Sequence, residues 1–264
     1  MPIPPLTILC AKVQSLAYDP AFLESGVTDL IRFGLHKSHT IFANDPRVGK
    51  VRHGHISCNN IGGAPIPDNR YLWTFDGTLV PKGSFVEWLD DFEAFLTASP
   101  WNPGDLVHRG MLRFFNTMTV VDDATGIELP ILDFIAANPG LAKGAIYTGH
   151  SLGTFTATCA FLEGSGGALI LFAPPKPGDK NFRQTVLRAL MDAEGTLESY
   201  ANPNDMVPRL PLTIDFPWHF EDFQPIVKPT KLQPNLVTPP IPADWESSHH
   251  MPNYLRLLEA AANT

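Results

Sequence analysis

Cysteine is scarce, with only Cys10, Cys58 and Cys159 in 264 residues. An odd number at such wide spacing makes neither a disulfide framework nor a zinc-ligand pattern, so metal chemistry has no support and no cofactor is expected. Positive charge is also in deficit, with 19 Lys and Arg against 27 Asp and Glu and a formal charge of -8. Sequence-independent nucleic-acid binding relies on cations that neutralise phosphates, and this balance argues against it. No segment is continuously apolar for the ~18 residues that a membrane span needs. The opening Met1-Pro2-Ile3-Pro4-Pro5 lacks the basic start and apolar run of a secretory signal. The expectation is a soluble chain, cytoplasmic unless exported by a route that leaves no such signal. Internal repeats and low-complexity tracts are likewise missing.

Apolar material is plentiful. Hydrophobic residues make up 44% of the chain and charged residues 17%, enough for a large core and too apolar for disorder. The length suits one continuous α/β unit, so residues 1–264 are expected to form a single domain.

Leu6, Leu9, Cys10, Val13 and Leu16 fall at helical spacing, which predicts a helix over residues 6–16. Residues 44–69 have no clear period, although 52–58 suits a short strand. The aromatic and β-branched run 71–75 predicts a buried strand closed by Asp76-Gly77. Phe85, Trp88, Leu89, Phe92 and Leu96 predict a helix over 85–96, with core packing as the reason for the stripe. Further helices are expected at 110–118 and 127–137. From there strand and helix alternate: strand 143–148, helix 154–162, strand 168–172, helix 182–193, strand 197–201. Such alternation indicates a mostly parallel sheet with helices on both faces. Residues 203–242 are proline-dense and aperiodic, yet Phe216, Trp218, Phe220 and Phe223 are too apolar for a free linker. A last helix is expected over 254–262.

Between the strand at 143–148 and the helix at 154–162 stands Gly149-His150-Ser151-Leu152-Gly153. A serine hydroxyl is a poor nucleophile at neutral pH and needs exposure on a sharp turn beside a base, which a strand-to-helix elbow supplies. Glycines on either side permit the close approach of strand and helix. A chain of this length holds only about 0.1 chance matches to G-x-S-x-G, and chance would rarely set one between these two elements. Ser151 is the candidate nucleophile. On such a fold the acid and the histidine follow the serine in that order. His219, His249 and His250 lie downstream; His219 sits in an aromatic cluster, whereas His249 and His250 occupy a loop before the last helix. Asp205 directly follows the strand 197–201 and is the best-placed acid, ahead of Asp215, Asp222 and Asp244.

Several motifs then line up in order. They are Phe75-Asp76-Gly77-Thr78 with Trp88-Leu89-Asp90-Asp91-Phe92, Val107-His108-Arg109-Gly110, the elbow, Phe172-Ala173-Pro174-Pro175-Lys176-Pro177-Gly178, Asp205-Met206-Val207-Pro208-Arg209-Leu210-Pro211, and His249-His250-Met251-Pro252-Asn253-Tyr254. In this arrangement the chain resembles the fungal-type, class three lipases of the α/β-hydrolase fold. The resemblance implies a carboxylic ester hydrolase acting on lipid or related esters through Ser151, Asp205 and a histidine. The family's spacing from histidine to a following tyrosine favours His249 over His250. It also implies an oxyanion hole from Thr78 and the backbone N–H of Leu152, a mobile apolar lid over 79–88, and transient contact with a lipid interface. One departure stands out: Asp76 occupies a position where the family usually carries arginine. His108 is expected to be a packed, structural histidine. Phospholipase and feruloyl or other small-ester hydrolysis remain open as substrate classes, and a non-catalytic lipase-like protein is the rival of another kind.

Overall fold

The computed structural model describes residues 3–18, 28–45, 49–59, 65–67, 70–77, 95–211 and 223–264. Its strands are β1 (Leu35–Asp45), β2 (Gly49–Asn59), β3 (Tyr71–Phe75), β4 (Leu96–Ala98), β5 (Leu106–His108), β6 (Thr119–Asp122), β7 (Glu128–Pro130), β8 (Ile146–His150), β9 (Ala168–Phe172), β10 (Thr196–Ala201) and β11 (Thr230–Lys231). Nine of them form one sheet in the order β11-β10-β9-β8-β3-β2-β1-β6-β7, while β4 and β5 pair separately. From β3 to β11 neighbouring strands are parallel, and from β3 to β7 they are antiparallel. Parallel strands place all their C-terminal ends on one edge, and loops leaving that edge can converge.

The helices that matter for the site are α1 (Pro5–Leu16), α2 (Arg109–Asn116), α3 (Ile131–Ala137), α4 (Leu152–Gly164), α5 (Lys180–Asp192), α6 (Trp245–His249) and α7 (Met251–Ala262). They cover both faces of the sheet, and strand alternation decides which side chain meets which layer. In β3, Trp73 and Phe75 join the cluster containing Phe114 and Phe115 of α2, Phe134 of α3, Phe155 and Phe161 of α4 and Phe182 of α5. Leu72, between them in sequence, joins Leu9, Cys10 and Val13 of α1 and Tyr254, Leu257 and Leu258 of α7. In β9, Leu169 and Leu171 face the first cluster while Ile170 and Phe172 face the second. Burying a side chain of this size contributes roughly 1.5–3 kcal/mol. All three cysteines are free thiols, with Cys10 and Cys159 buried.

Several boundaries differ from the sequence expectation. Residues 127–137 are not one helix: β7 occupies Glu128–Pro130 and α3 starts at Ile131. Pro130 explains the break, because it lacks an N–H and is tolerated at an edge strand or just before a helix. Leu96, expected to end a helix, starts β4, and residues 85–94 of that expected helix lie outside the described residues. The strand expected at 143–148 is β8, beginning only at Ile146 after a turn in which Gly144 has φ 68°. The short strand expected at 52–58 is the eleven-residue β2. His249 ends the short helix α6, so the loop expected before the last helix is helical up to that residue. Among the described residues of 203–242, regular structure is limited to the short turns Val207–Arg209 and Pro234–Leu236 and to β11. Phe216, Trp218, His219 and Phe220 lie outside the described residues.

Candidate active site

Ser151 sits between β8 and α4 with φ 54° and ψ -125°, a backbone conformation that an L-residue adopts only under strain. The strain persists because the elbow is fixed on all sides. The Ser151 N–H donates to the Phe172 carbonyl at 3.0 Å, and its own carbonyl accepts from the Thr154 hydroxyl at 2.6 Å. A Cβ on Gly149 would lie 2.2 Å from the Gly153 oxygen, and one on Gly153 would lie 2.2 Å from the Phe75 oxygen. Larger residues would push helix and strand apart at the turn.

The Ser151 Oγ is buried and, among the described residues, makes no hydrogen bond. Leu152, the next residue, opens α4. The first N–H groups of a helix have no acceptor within it and carry the positive end of the helix dipole, which favours a developing anion there.

Asp205 follows β10 on the same edge of the sheet and is 2% exposed. Its Oδ1 accepts from the Val207 N–H at 2.9 Å. Its Oδ2 accepts from His249 Nδ1 at 2.8 Å and from the Tyr254 hydroxyl at 2.7 Å. Three donors thus satisfy the buried Asp205 carboxyl group. Asn202 ties the acid loop to the histidine segment: its N–H donates to the Tyr254 oxygen at 2.9 Å and its amide to the Ser248 carbonyl at 3.0 Å. Burial first and the Asp205 charge second hold the Tyr254 phenol well above its ordinary pKa, so it remains a donor.

His249 is therefore the imidazole joined to Asp205. His250, one residue on, is exposed and turns its ring edge-on to Tyr18, centroids 5.4 Å apart. The ring of His249 lies 4.6 Å from that of His150, the residue before Ser151. In the sequence Tyr254 is only the tyrosine spaced after the histidine; its hydrogen bond to the acid spans 49 residues and no local pattern announces it.

Asp76 and Gly77 follow β3 at the same edge, with the Asp76 N–H bonded to the His53 carbonyl at 2.9 Å. Asp76 faces Arg52 of β2 at 3.9 Å, so a cation from the neighbouring strand stands opposite the acid at this unusual position. Burial pushes the Asp76 carboxyl up to about 6, with Arg52 partly opposing the shift. Thr78 and the lid expected at 79–88 lie outside the described residues.

His108 takes no part in this cluster. It is buried at the start of α2, where its Nδ1 accepts from the Met111 N–H at 3.4 Å and its ring packs 5.6 Å from Phe223. Among the described residues no group of His, Cys, Asp and Glu could hold a metal ion, and no helix is long and apolar enough to cross a membrane.

A family model described as Lipase (class 3) matches residues 73–214, more than half of the chain. No curated protein matches. Among solved structures, the chain is similar to a Rhizomucor miehei lipase in its propeptide complex, at 18% identity and a TM-score of 0.59 over 97% of this chain and 78% of that one. A lipase from Rhizopus microsporus var. chinensis aligns at 17% identity and TM-score 0.53, covering 78% and 68%. A triacylglycerol lipase described as having a serine protease triad for its catalytic centre aligns at 16% and 0.52, covering 79% and 72%. At these identities the structural likeness speaks for the fold, and the family match carries the rest. The chain belongs to the class 3 lipase family, and with it to the serine carboxylic ester hydrolases.

Proposed function

We propose that the protein hydrolyses carboxylic esters of the triacylglycerol type, or related lipid esters, through an acyl-enzyme on Ser151. His249 takes the proton of the Ser151 hydroxyl as that oxygen attacks the ester carbonyl, then returns it to the departing alcohol. Water, deprotonated in turn by His249, releases the acid and restores the serine. Asp205 holds the imidazole in one tautomer and stabilises it while it is charged. The backbone N–H of Leu152 and a donor from Thr78 receive the charge that develops on the carbonyl oxygen, one such donor being worth about 2.7–4 kcal/mol. The observation that carries this reading is the bond between Asp205 and His249, whose ring lies 4.6 Å from that of His150, the residue before the elbow serine.

Ser151 is 1% exposed, and in this reading a covering element moves to admit substrate. The apolar segment 79–88 is assigned that lid role, which fits transient contact with a lipid interface. Residues 1–264 act in this reading as one domain, with neither cofactor nor nucleic-acid partner. A fluorophosphonate probe and a series of p-nitrophenyl esters from acetate to palmitate, run with phospholipid and feruloyl substrates, test the proposal. Wild type labels and turns over the long-chain esters, and Ser151→Ala does neither. Labelling retained by Ser151→Ala overturns the nucleophile, and preference for phospholipid or feruloyl ester overturns the substrate class.

A further inference from the structure

A chain of hydrogen bonds runs behind the candidate triad. The Tyr18 hydroxyl, just beyond the end of α1, lies 2.5 Å from His150 Nδ1. His150 Nε2 lies 2.9 Å from the His249 carbonyl oxygen. At its other end the Tyr18 oxygen lies against the backbone of Gly77. A Cβ on Gly77 would stand 2.6 Å from that oxygen, so turn and phenol are in direct contact.

The polarity of this chain is forced. A carbonyl oxygen only accepts, so His150 Nε2 carries the hydrogen. In a neutral imidazole Nδ1 is then an acceptor, and the Tyr18 hydroxyl must donate to it. His150 is 1% exposed, and burial first, then the charge of His249, hold it well below its ordinary pKa and hence neutral. Burial likewise raises the Tyr18 phenol, with the charge of Asp76 next, which keeps its proton in place.

We propose that Tyr18 and His150 are positioning residues, forming a one-directional hydrogen-bond chain that fixes the His249 main chain relative to the turn after β3 and to the nucleophile strand. The inference rests on the triad reading above. It joins four segments far apart in sequence: Tyr18, the Asp76-Gly77 turn, the elbow and the end of α6. His150 is covalently next to Ser151, so holding the His249 carbonyl through His150 sets the distance between base and nucleophile. A small displacement there costs rate, because proton transfer demands hydrogen-bond reach. Keeping His150 neutral has a second effect. Its ring is 4.6 Å from that of His249, and a charge on it would oppose the imidazolium that forms during acyl transfer.

The test uses the full chain and p-nitrophenyl butyrate, with kcat, KM and fluorophosphonate inactivation rate measured beside unfolding temperature. Tyr18→Phe deletes one oxygen and leaves His150 without its donor. His150→Leu removes both contacts, while His150→Gln retains an amide oxygen to accept and an amide N–H to donate. Loss of one buried hydrogen bond in the rate-limiting geometry predicts that Tyr18→Phe and His150→Leu lower kcat about 10- to 100-fold, with KM within about threefold of wild type. His150→Gln should restore kcat to within about fivefold, and the double change Tyr18→Phe/His150→Leu should be no slower than His150→Leu by more than about twofold. Should His150→Leu fail to fold, Tyr18→Phe and His150→Gln decide the matter. The inference is overturned by a Tyr18→Phe enzyme that loses unfolding temperature while kcat stays within about twofold of wild type. Ser151→Ala run in parallel separates the two levels. If it hydrolyses the ester as wild type does, the triad reading has failed; if it is inactive and Tyr18→Phe is fully active, only the positioning role has failed.

Discussion

The Tyr254 hydroxyl and the His249 imidazole share one oxygen, Oδ2 of Asp205, at 2.7 and 2.8 Å. The phenol also accepts from the Asn202 N–H, so a single hydroxyl joins the acid loop to α7. Tyr254→Phe leaves a buried carboxylate with one donor fewer and orphans the Asn202 N–H. Hydrogen bonds to charged groups contribute about 1.5–3 kcal/mol, so the variant should lose about that much in urea unfolding at pH 7. Its kcat should fall by less than Asp205→Asn lowers it, since His249 keeps its partner. An unchanged denaturation midpoint would show that the shared oxygen contributes nothing to stability.

Asp205→Asn changes what Oδ2 does. An amide group at that place can turn its N–H toward His249 and force the imidazole into the tautomer that presents a hydrogen, instead of a lone pair, to Ser151. A loss of roughly 10³- to 10⁴-fold in kcat is expected, by the reasoning that holds for serine triads generally. His249→Ala should lose at least as much, whereas His250→Ala, at an exposed ring directed toward Tyr18, should stay within about threefold of wild type. The reverse ranking of the two histidines in a single assay would move the base to position 250.

How much of this was legible in the sequence depends on how far apart the interacting residues lie. The elbow is local: five residues whose glycines are required by close approaches of 2.2 Å, and β9 matches its expected span residue for residue. Asp205 was readable because it directly follows a strand of the alternating half. The strand β1 and the full length of β2 were not, although 52–58 of β2 was expected. Both strands have eleven residues but carry His36, Lys37, His39, Lys50, Arg52, His53 and His55. Register shifts between Lys37 and His39 and between Ile41 and Phe42 break the period-two pattern that marks a strand. The contacts of Tyr18, His150 and Tyr254 span 49 to 132 residues, and a single sequence has no signal at that range.

His108 supplies a pH-dependent cap. Burial lowers its pKa to about 4, so the ring is neutral and its Nδ1 accepts at the start of α2. An unfolded histidine titrates near 6.5, so over the interval between those values the unfolded chain binds the proton more tightly. The resulting stability is present above about pH 6.5 and is lost as pH falls toward 4, on the order of 3 kcal/mol in all. His55, lowered to about 3, acts in the same direction, so the total acid loss cannot be assigned to one ring. His108→Asn isolates it, because asparagine is a good N-cap and does not titrate. The stability advantage of wild type over this variant should shrink between pH 7 and pH 4 in urea titrations. A difference that stays constant with pH would remove His108 from the account.

Asp76 works with the opposite sign. Its folded-state pKa of about 6 lies above the unfolded value near 3.9, so here the native state binds the proton more tightly. The stabilisation from holding that proton is complete below about pH 4 and disappears as pH rises through 6, when a buried carboxylate must carry charge with Arg52 at 3.9 Å as its compensation. Asp76→Asn removes the ionisation while preserving shape. Relative to this variant, wild type should therefore become less stable from pH 4 to pH 7, by on the order of 3 kcal/mol. Activity offers an independent check, since Asp76 begins the turn that leads to Thr78. If that turn supplies an oxyanion donor, kcat of Asp76→Asn should lose whatever part of the wild-type pH dependence lies near 6 and comes from this carboxyl. Parallel stability curves for the two proteins would mean that Asp76 is ionised at no cost, and that Arg52 alone compensates its burial.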